Sequence, residues 1–80
     1  MELYQKVSLL QDIDEYGLKK GDVATLVDFV EHPGNDEKGC VLEILNALGE
    51  TIDVITVPVS MVETLKADEI LSVRHHSKAV

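Results

Sequence analysis

Aromatic side chains, cysteine and positive charge are all scarce in this chain, and each scarcity removes a class of function. There is no Trp, one Phe and two Tyr, so a core has to be assembled from Val, Leu and Ile, a mixture that favours β-structure. The same shortage leaves little for nucleic-acid bases to stack on, and such sites also need clustered Lys and Arg. Cys40 is the single cysteine. It has no disulfide partner within the chain, and no Cys-x-x-Cys or His-x-x-x-His spacing suits a zinc ion. Seven basic residues stand against 15 acidic ones, for a net charge of −8. A surface of that sign repels phosphate backbones and anionic lipids and attracts basic partners. No apolar run nears the roughly 20 residues that cross a bilayer. The opening Met1-Glu2-Leu3-Tyr4-Gln5 is not the basic and then apolar segment of a secretion signal. The chain is therefore expected to be cytoplasmic.

What is present is enough for one small domain. The 80 residues are 45% hydrophobic and 28% charged, the balance of a folded protein rather than a disordered tail. A chain of this length buries only about 60–65% of its extended surface, which allows one modest core and no deep enclosed active site. A single domain over residues 1–74 is expected, with 75–80 as a loose tail.

The strand signals are short and evenly spaced. Lys6 to Leu10 alternates polar and apolar residues and reads as a first strand. Ile13 and Leu18 would anchor the loop that follows. Val23 to Val30 is apolar on both faces, with Val23, Val27 and Phe29 on one and Ala24, Leu26 and Val30 on the other. Such a strand is buried centrally, coiled through a corner, or covered. His32-Pro33-Gly34-Asn35-Asp36-Glu37-Lys38-Gly39 reads as a loop. A third strand is expected from Cys40 to Leu45 and a fourth from Thr51 to Val57, joined through Asn46-Ala47-Leu48-Gly49-Glu50 with Gly49 left-handed. Ser60-Met61-Val62-Glu63 matches a capping box and predicts a short helical turn near residues 60–65. A last strand is expected to start near Ile70 and run to Arg74. Five short strands and one helical turn predict an all-β fold, a small, strongly bent five-stranded barrel of the SH3-like type.

The most specific segment is Glu15-Tyr16-Gly17-Leu18-Lys19-Lys20-Gly21-Asp22-Val23-Ala24-Thr25. Its two glycines offer positions for positive φ, and the Asp22 side chain is short enough to bond nearby amides. Together with Val7-x-Leu9, Gly49-Glu50-Thr51 and Asp68-Glu69-Ile70-Leu71-x-Val73-Arg74, it resembles a family of short, largely cyanobacterial proteins known as a domain of unknown function. The family's motif is Gly-Leu-x-x-Gly-Asp-x-Gly-Thr, and this chain has Ala24 at its third glycine. The resemblance implies an SH3-like barrel and no particular activity. The small operons that often hold such genes point to a partner protein, of the antitoxin or immunity kind or an accessory one.

Each possible chemistry has a plainer reading beside it. Cys40 lies in line with Leu42 and Ile44, as a small core hydrophobe would. Adjacent His75 and His76 would point to opposite faces of a strand and cannot share a metal there. His32 and Cys40 flank the long loop without a ligand spacing. Asp12, Asp14 and Glu15 lack the EF-hand pattern. Gly17 to Asp22 superficially resembles a phosphate-binding loop, but a strand follows where a helix would be needed. No catalytic residue, metal site or cofactor is called for.

Protein binding remains. With Leu42, Ile44, Ile52 and Val54 as the inward set, Val41, Leu45, Leu48, Ile55 and Val57 would form an apolar strip on the outside of the hairpin. Such a strip marks a partner surface or a homodimer seam. Barrel curvature and the C-terminal segment could equally cover it. Unpaired edge strands offer a second route. The expected function is a non-enzymatic interaction module for a basic protein partner. A nucleic-acid-binding module is the alternative, and a metal-binding or catalytic role comes third.

Overall fold

The computed structural model describes residues 1–31 and 37–76. Of the predicted loop from His32 to Gly39, residues 32–36 lie outside the described residues, as do residues 77–80 of the predicted tail, and Lys38 and Gly39 are already strand. Five strands form one antiparallel sheet: β1 Lys6–Leu9, β2 Val23–Glu31, β3 Lys38–Leu45, β4 Thr51–Pro58 and β5 Val62–Thr64. Their order is β4-β3-β2-β1-β5, so the sheet is open and β4 and β5 are its edges. Among the described residues the remaining regular structure consists of two 3-10 turns, Asp14–Tyr16 and Val59–Met61. Among the described residues no helix is long and apolar enough to cross a membrane.

The core draws on every strand. Val7 and Leu9 of β1, Ala24 and Leu26 of β2, Cys40, Leu42 and Ile44 of β3, Ile55 and Val57 of β4 and Val62 of β5 are buried together. Ile13 and Leu18 join them from the loop between β1 and β2, as the sequence predicts, and pair with each other through an isolated bridge.

Two bulges determine which side chains face this core. In β2 the register passes from Leu26 opposite Leu42 to Asp28 opposite Val41, leaving Val27 as the extra residue. Alternation therefore resumes one residue late. Phe29, opposite Cys40, packs against the same core as Ala24 and Leu26 rather than sharing the face of Val23. In β4 the register runs from Leu45 opposite Thr51 to Ile44 opposite Asp53, and Ile52 is the extra residue. Without that insertion Leu42 would face Val54; with it, Leu42 faces Ile55 and Cys40 faces Val57. Antiparallel partners share a face, so a slip of one residue exchanges the two faces of the strand. The expected orientation of β4 is thus reversed. Ile55 and Val57 belong to the core, while Ile52 and Val54 are exposed.

The end of the chain also differs from expectation. Ser60 and Glu63 form no capping box. The Ser60 N–H donates instead to Glu37 Oε1 at 2.6 Å, and the 3-10 turn at Val59–Met61 has no side-chain cap. Val62 is already extended (φ −134°, ψ 156°), and β5 follows at once, with Leu9 opposite Val62 and Val7 opposite Thr64. The fifth strand is therefore Val62–Thr64 and not Ile70 to Arg74, because β1 offers its free side directly after the 3-10 turn.

Candidate functional site

The loop between β1 and β2 is closed by its own hydrogen bonds. Ile13 N–H and Leu18 N–H each donate to the other's carbonyl, and Gly17 closes the first 3-10 turn with φ +69°. Gly21 has φ +90°, and its N–H donates to the Leu9 carbonyl at 2.8 Å. Asp22 Oδ2 accepts the Lys19 N–H at 2.8 Å, the local turn that a short acidic side chain favours. Lys20 N–H is taken by Asp12 Oδ1 at 2.8 Å, and the Lys19 ammonium lies 3.5 Å from Asp14 Oδ1. The loop's own amides and lysine thus occupy the carboxylates of Asp12 and Asp14.

Asp22 has a second role. Arg74 Nε donates to its Oδ1 at 2.8 Å, and Arg74 Nη2 bonds its Oδ2 and the Gly17 carbonyl. Burial alone would raise the Asp22 carboxyl, but the hydrogen bonds from Arg74 and Lys19 outweigh it and hold the group below its ordinary value of 3.8. Two residues further on, His76 Nε2 lies 3.1 Å from the Tyr16 carbonyl, and its buried Nδ1 has no partner. Arg74 and His76 therefore fasten the C-terminal segment across the β1–β2 loop, where a loose tail was expected from residue 75.

Between these anchors and the sheet lies a groove of about 1090 Å³. Thr25, Leu45 and Ile52 line it from the sheet, and Ile70, Leu71 and Val73 from the segment after β5. The register explains the sheet side. Lys6, Thr25, Glu43 and Val54 are successive partners across β1 to β4 and form one row on the outer face, of which Lys6 and Thr25 line the groove. Lys6 Nζ donates to Thr25 Oγ1 at 2.7 Å within that row. The segment side is unusually apolar for exposed chain: Ile70 is 94% exposed and Val73 88%.

The five residues expected to form the interaction strip separate into two groups. Val41 and Leu45 are half-buried and Leu48 is exposed at the hairpin tip. Ile55 and Val57 are buried and cannot be part of a surface. Sequence reasoning missed Ile52 and Val54, whose exposure follows from the bulge, and Ile70, Leu71 and Val73, which were assigned to a strand. Their signal was present as a run of large apolar residues beyond the last turn.

Both sheet edges are blunted. On β4, Asp53 Oδ1 accepts the Val54 N–H at 2.8 Å, occupying a donor on the open side, and Pro58 supplies no N–H at the strand's end. On the other side β5 has only three residues. These are the usual devices against edge pairing. Cys40 is wholly buried, and burial followed by the Glu37 charge pushes its thiol up. Among the described residues no group of three or more His, Cys, Asp or Glu is placed to hold a metal ion.

A family model described as Domain of unknown function (DUF4926) matches residues 3–64. The match includes all five strands and ends where the groove's outer wall begins. No curated protein and no solved structure matches the chain.

Proposed function

This chain belongs to the domain-of-unknown-function family DUF4926, and we propose that it is a non-enzymatic interaction module that binds a basic protein through the outer face of its sheet. The observation that carries this reading is the concentration of exposed apolar side chains around one groove. Ile52 of β4 stands on one side and Ile70, Leu71 and Val73 on the other, with exposed Val54 two residues along β4 from Ile52. Contiguous apolar surface of this kind is uncommon on an isolated small domain and marks a contact site. Blunted edges direct a partner to the face. The net charge of −8 steers a basic protein and disfavours nucleic acid.

We propose that this open sheet is an SH3-like barrel left unclosed between β4 and β5. Support comes from the strand order, the bulge in β2, and a 3-10 turn immediately before the last strand. An antitoxin, immunity or accessory-subunit role in the cytoplasm fits such a module.

The reading is tested by affinity capture from the native host with wild-type chain and with Val54→Asp and Leu48→Asp. Both residues are exposed, at 56% and 85%, so the fold should survive. A stoichiometric basic protein, retained by wild type and lost by Val54→Asp, is the expected result. Capture of RNA at physiological salt, or a partner indifferent to both changes, overturns it.

A further inference from the structure

Within the groove one pair of polar side chains keeps donors that the fold does not use. Lys6 and Thr25 both line it, and Lys6 Nζ donates to Thr25 Oγ1 at 2.7 Å. Thr25 accepts in that bond, so its own hydroxyl hydrogen is left to donate, and the ammonium has two hydrogens more. Among the described residues no carboxylate pairs with the Lys6 ammonium. The other charged groups of the lining are engaged by the chain itself. Arg74 is bound to Asp22 through Nε and Nη2, and Glu69 Oε1 takes the Lys66 N–H. Glu43, opposite Thr25 in the sheet, is not part of the lining. Around the Lys6–Thr25 pair the walls are apolar, with Leu45 and Ile52 on the sheet and Ile70, Leu71 and Val73 on the segment after β5. That segment is held at both ends, by the Leu65 N–H on the Lys6 carbonyl and by Arg74 on Asp22. Its three apolar side chains are mostly exposed, so their surface is open to a ligand.

We infer that the groove binds a small apolar acid, one carboxylate on a hydrocarbon tail. The carboxylate accepts from Lys6 Nζ and Thr25 Oγ1, a pairing strengthened by charge on both sides. The tail lies between Leu45 and Ile52 on one wall and Leu71 and Val73 on the other. Mostly apolar walls with a few convergent donors are the usual make-up of a small-molecule site, and the groove's volume is at the upper end for one. The net charge of −8 favours a small occupant. A polyanion or an acidic vesicle would meet that charge as a whole, whereas a single carboxylate meets the local donor pair. Arg74 is a positioning residue here: it fixes the end of the outer wall without needing to touch the ligand. The site is separate from the protein-binding reading above, because Val54 lies outside the lining.

The test is an NMR titration of the full chain with octanoate, octanol and octylammonium, each kept below its micelle concentration. A short apolar peptide with a free C-terminal carboxylate is the fourth probe. Saturable shifts at Lys6, Thr25 and residues 70–73 are expected with octanoate. Octanol should bind about tenfold more weakly, and octylammonium more weakly still. Lys6 is exposed, so Lys6→Met should keep the fold and lower octanoate to the affinity of octanol. Glu43→Gln removes a like charge from the neighbouring position and should tighten octanoate. Arg74→Ala should weaken all three probes alike. Val54→Asp should spare octanoate binding while removing protein capture, so either reading can fail without the other. Shifts that do not saturate, equal affinity for acid and alcohol, or preference for the amine overturn the site. So does an octanoate affinity indifferent to Lys6→Met. Tighter binding of the peptide than of octanoate overturns the small-molecule assignment in favour of a chain end.

Discussion

Arg74 Nε donates to Asp22 Oδ1 at 2.8 Å across 52 residues of sequence, and this pair joins the loop between β1 and β2 to the segment that follows β5. The two sides of the pair are unequal. Asp22 also caps the Lys19 N–H, so its loss disturbs the loop as well as the latch, whereas the other bonds of Arg74 go to the Gly17 and His75 carbonyls.

Removing Arg74 should therefore free the segment and leave the sheet intact. We expect Arg74→Ala to cost about 1 kcal/mol or less, since the pair is partly solvated, and Asp22→Ala to cost about 1–3 kcal/mol through the additional unsatisfied amide. Denaturant midpoints give the ranking, and amide exchange locates it. Protection should fall at residues 74–76 in both variants but at Lys19 only in Asp22→Ala. An Arg74→Ala variant less stable than Asp22→Ala contradicts this division of labour.

The latch also sets an acid limit. The Asp22 carboxyl lies below its ordinary value of 3.8 in the folded chain. A depressed carboxylate stabilises the fold above its unfolded value, and that contribution is lost as pH falls through the folded one. Arg74 stays protonated throughout. In an NMR titration the Arg74 Nε–H and Lys19 amide signals should hold down to about pH 4 and move only below it. Asp22→Asn should abolish that movement. A midpoint above 4 would give the coupling the wrong sign.

The bulge at Ile52 makes a prediction that separates neighbouring residues. Ile55 faces Leu42 in the core and Val54 faces Glu43 on the surface. Ile55→Ala should cost about 2–5 kcal/mol, and Val54→Ala about 0.5 kcal/mol. Thermal or denaturant unfolding of the two variants decides the matter. The reverse order would restore the unbulged register.

That register shows where the sequence stops being informative. The positions of β1 to β4, the two loop anchors and the Gly17–Asp22 loop were legible because each has a local cause: alternation, a positive-φ glycine, or a side chain that caps its own turn. The facing of β4 has no such cause. Ile52 and Val54 alternate as well as Ile55 and Val57 do, and only pairing with β3 selects between them. β5 was hidden for a related reason. Ser60 and Glu63 have the spacing of a capping box, yet Val62 finds a vacant strand edge at Leu9 and becomes extended. Ile70 to Arg74 has strand composition without a strand partner. Of the expected strip, the partial exposure of Val41 and Leu45 follows from β3 and that of Leu48 from the hairpin tip, whereas Ile55 and Val57, assigned through the wrong register, are buried.

Cys40 provides a test of the core that needs no variant. The thiol is fully enclosed, and burial pushes its ionisation up, so the reactive thiolate is suppressed by both access and charge. Modification by an aromatic disulfide reagent should be undetectable in native buffer and complete in denaturant. Its rate at intermediate denaturant should follow global unfolding. Rapid labelling of the native chain would place the sulfur at the surface and break the pairing of Cys40 with Val57.

The hairpin tip isolates backbone strain from packing. Gly49 has φ +83°, and no atom beyond its chain neighbours lies within 4 Å of where a Cβ would stand. Gly49→Ala therefore meets no clash, and its cost is the left-handed backbone alone, about 1–2 kcal/mol. Gly49→Asn should recover part of that cost, because asparagine tolerates this conformation. Asn46 acts on the same turn by a different mechanism. Its Oδ1 accepts the N–H groups of Leu48 and Glu50 at 3.0 and 2.9 Å and its Nδ2 donates to Glu50 Oε1 at 2.8 Å, so Asn46→Ala removes three side-chain bonds and leaves the glycine in place. Both variants loosen the turn that precedes the Ile52 bulge. If the turn also sets the register, Asn46→Ala and Gly49→Ala should lower stability by more together than the sum of their separate effects. A strictly additive pair, read from a double-mutant cycle, would show that the β3–β4 pairing fixes the bulge without the turn.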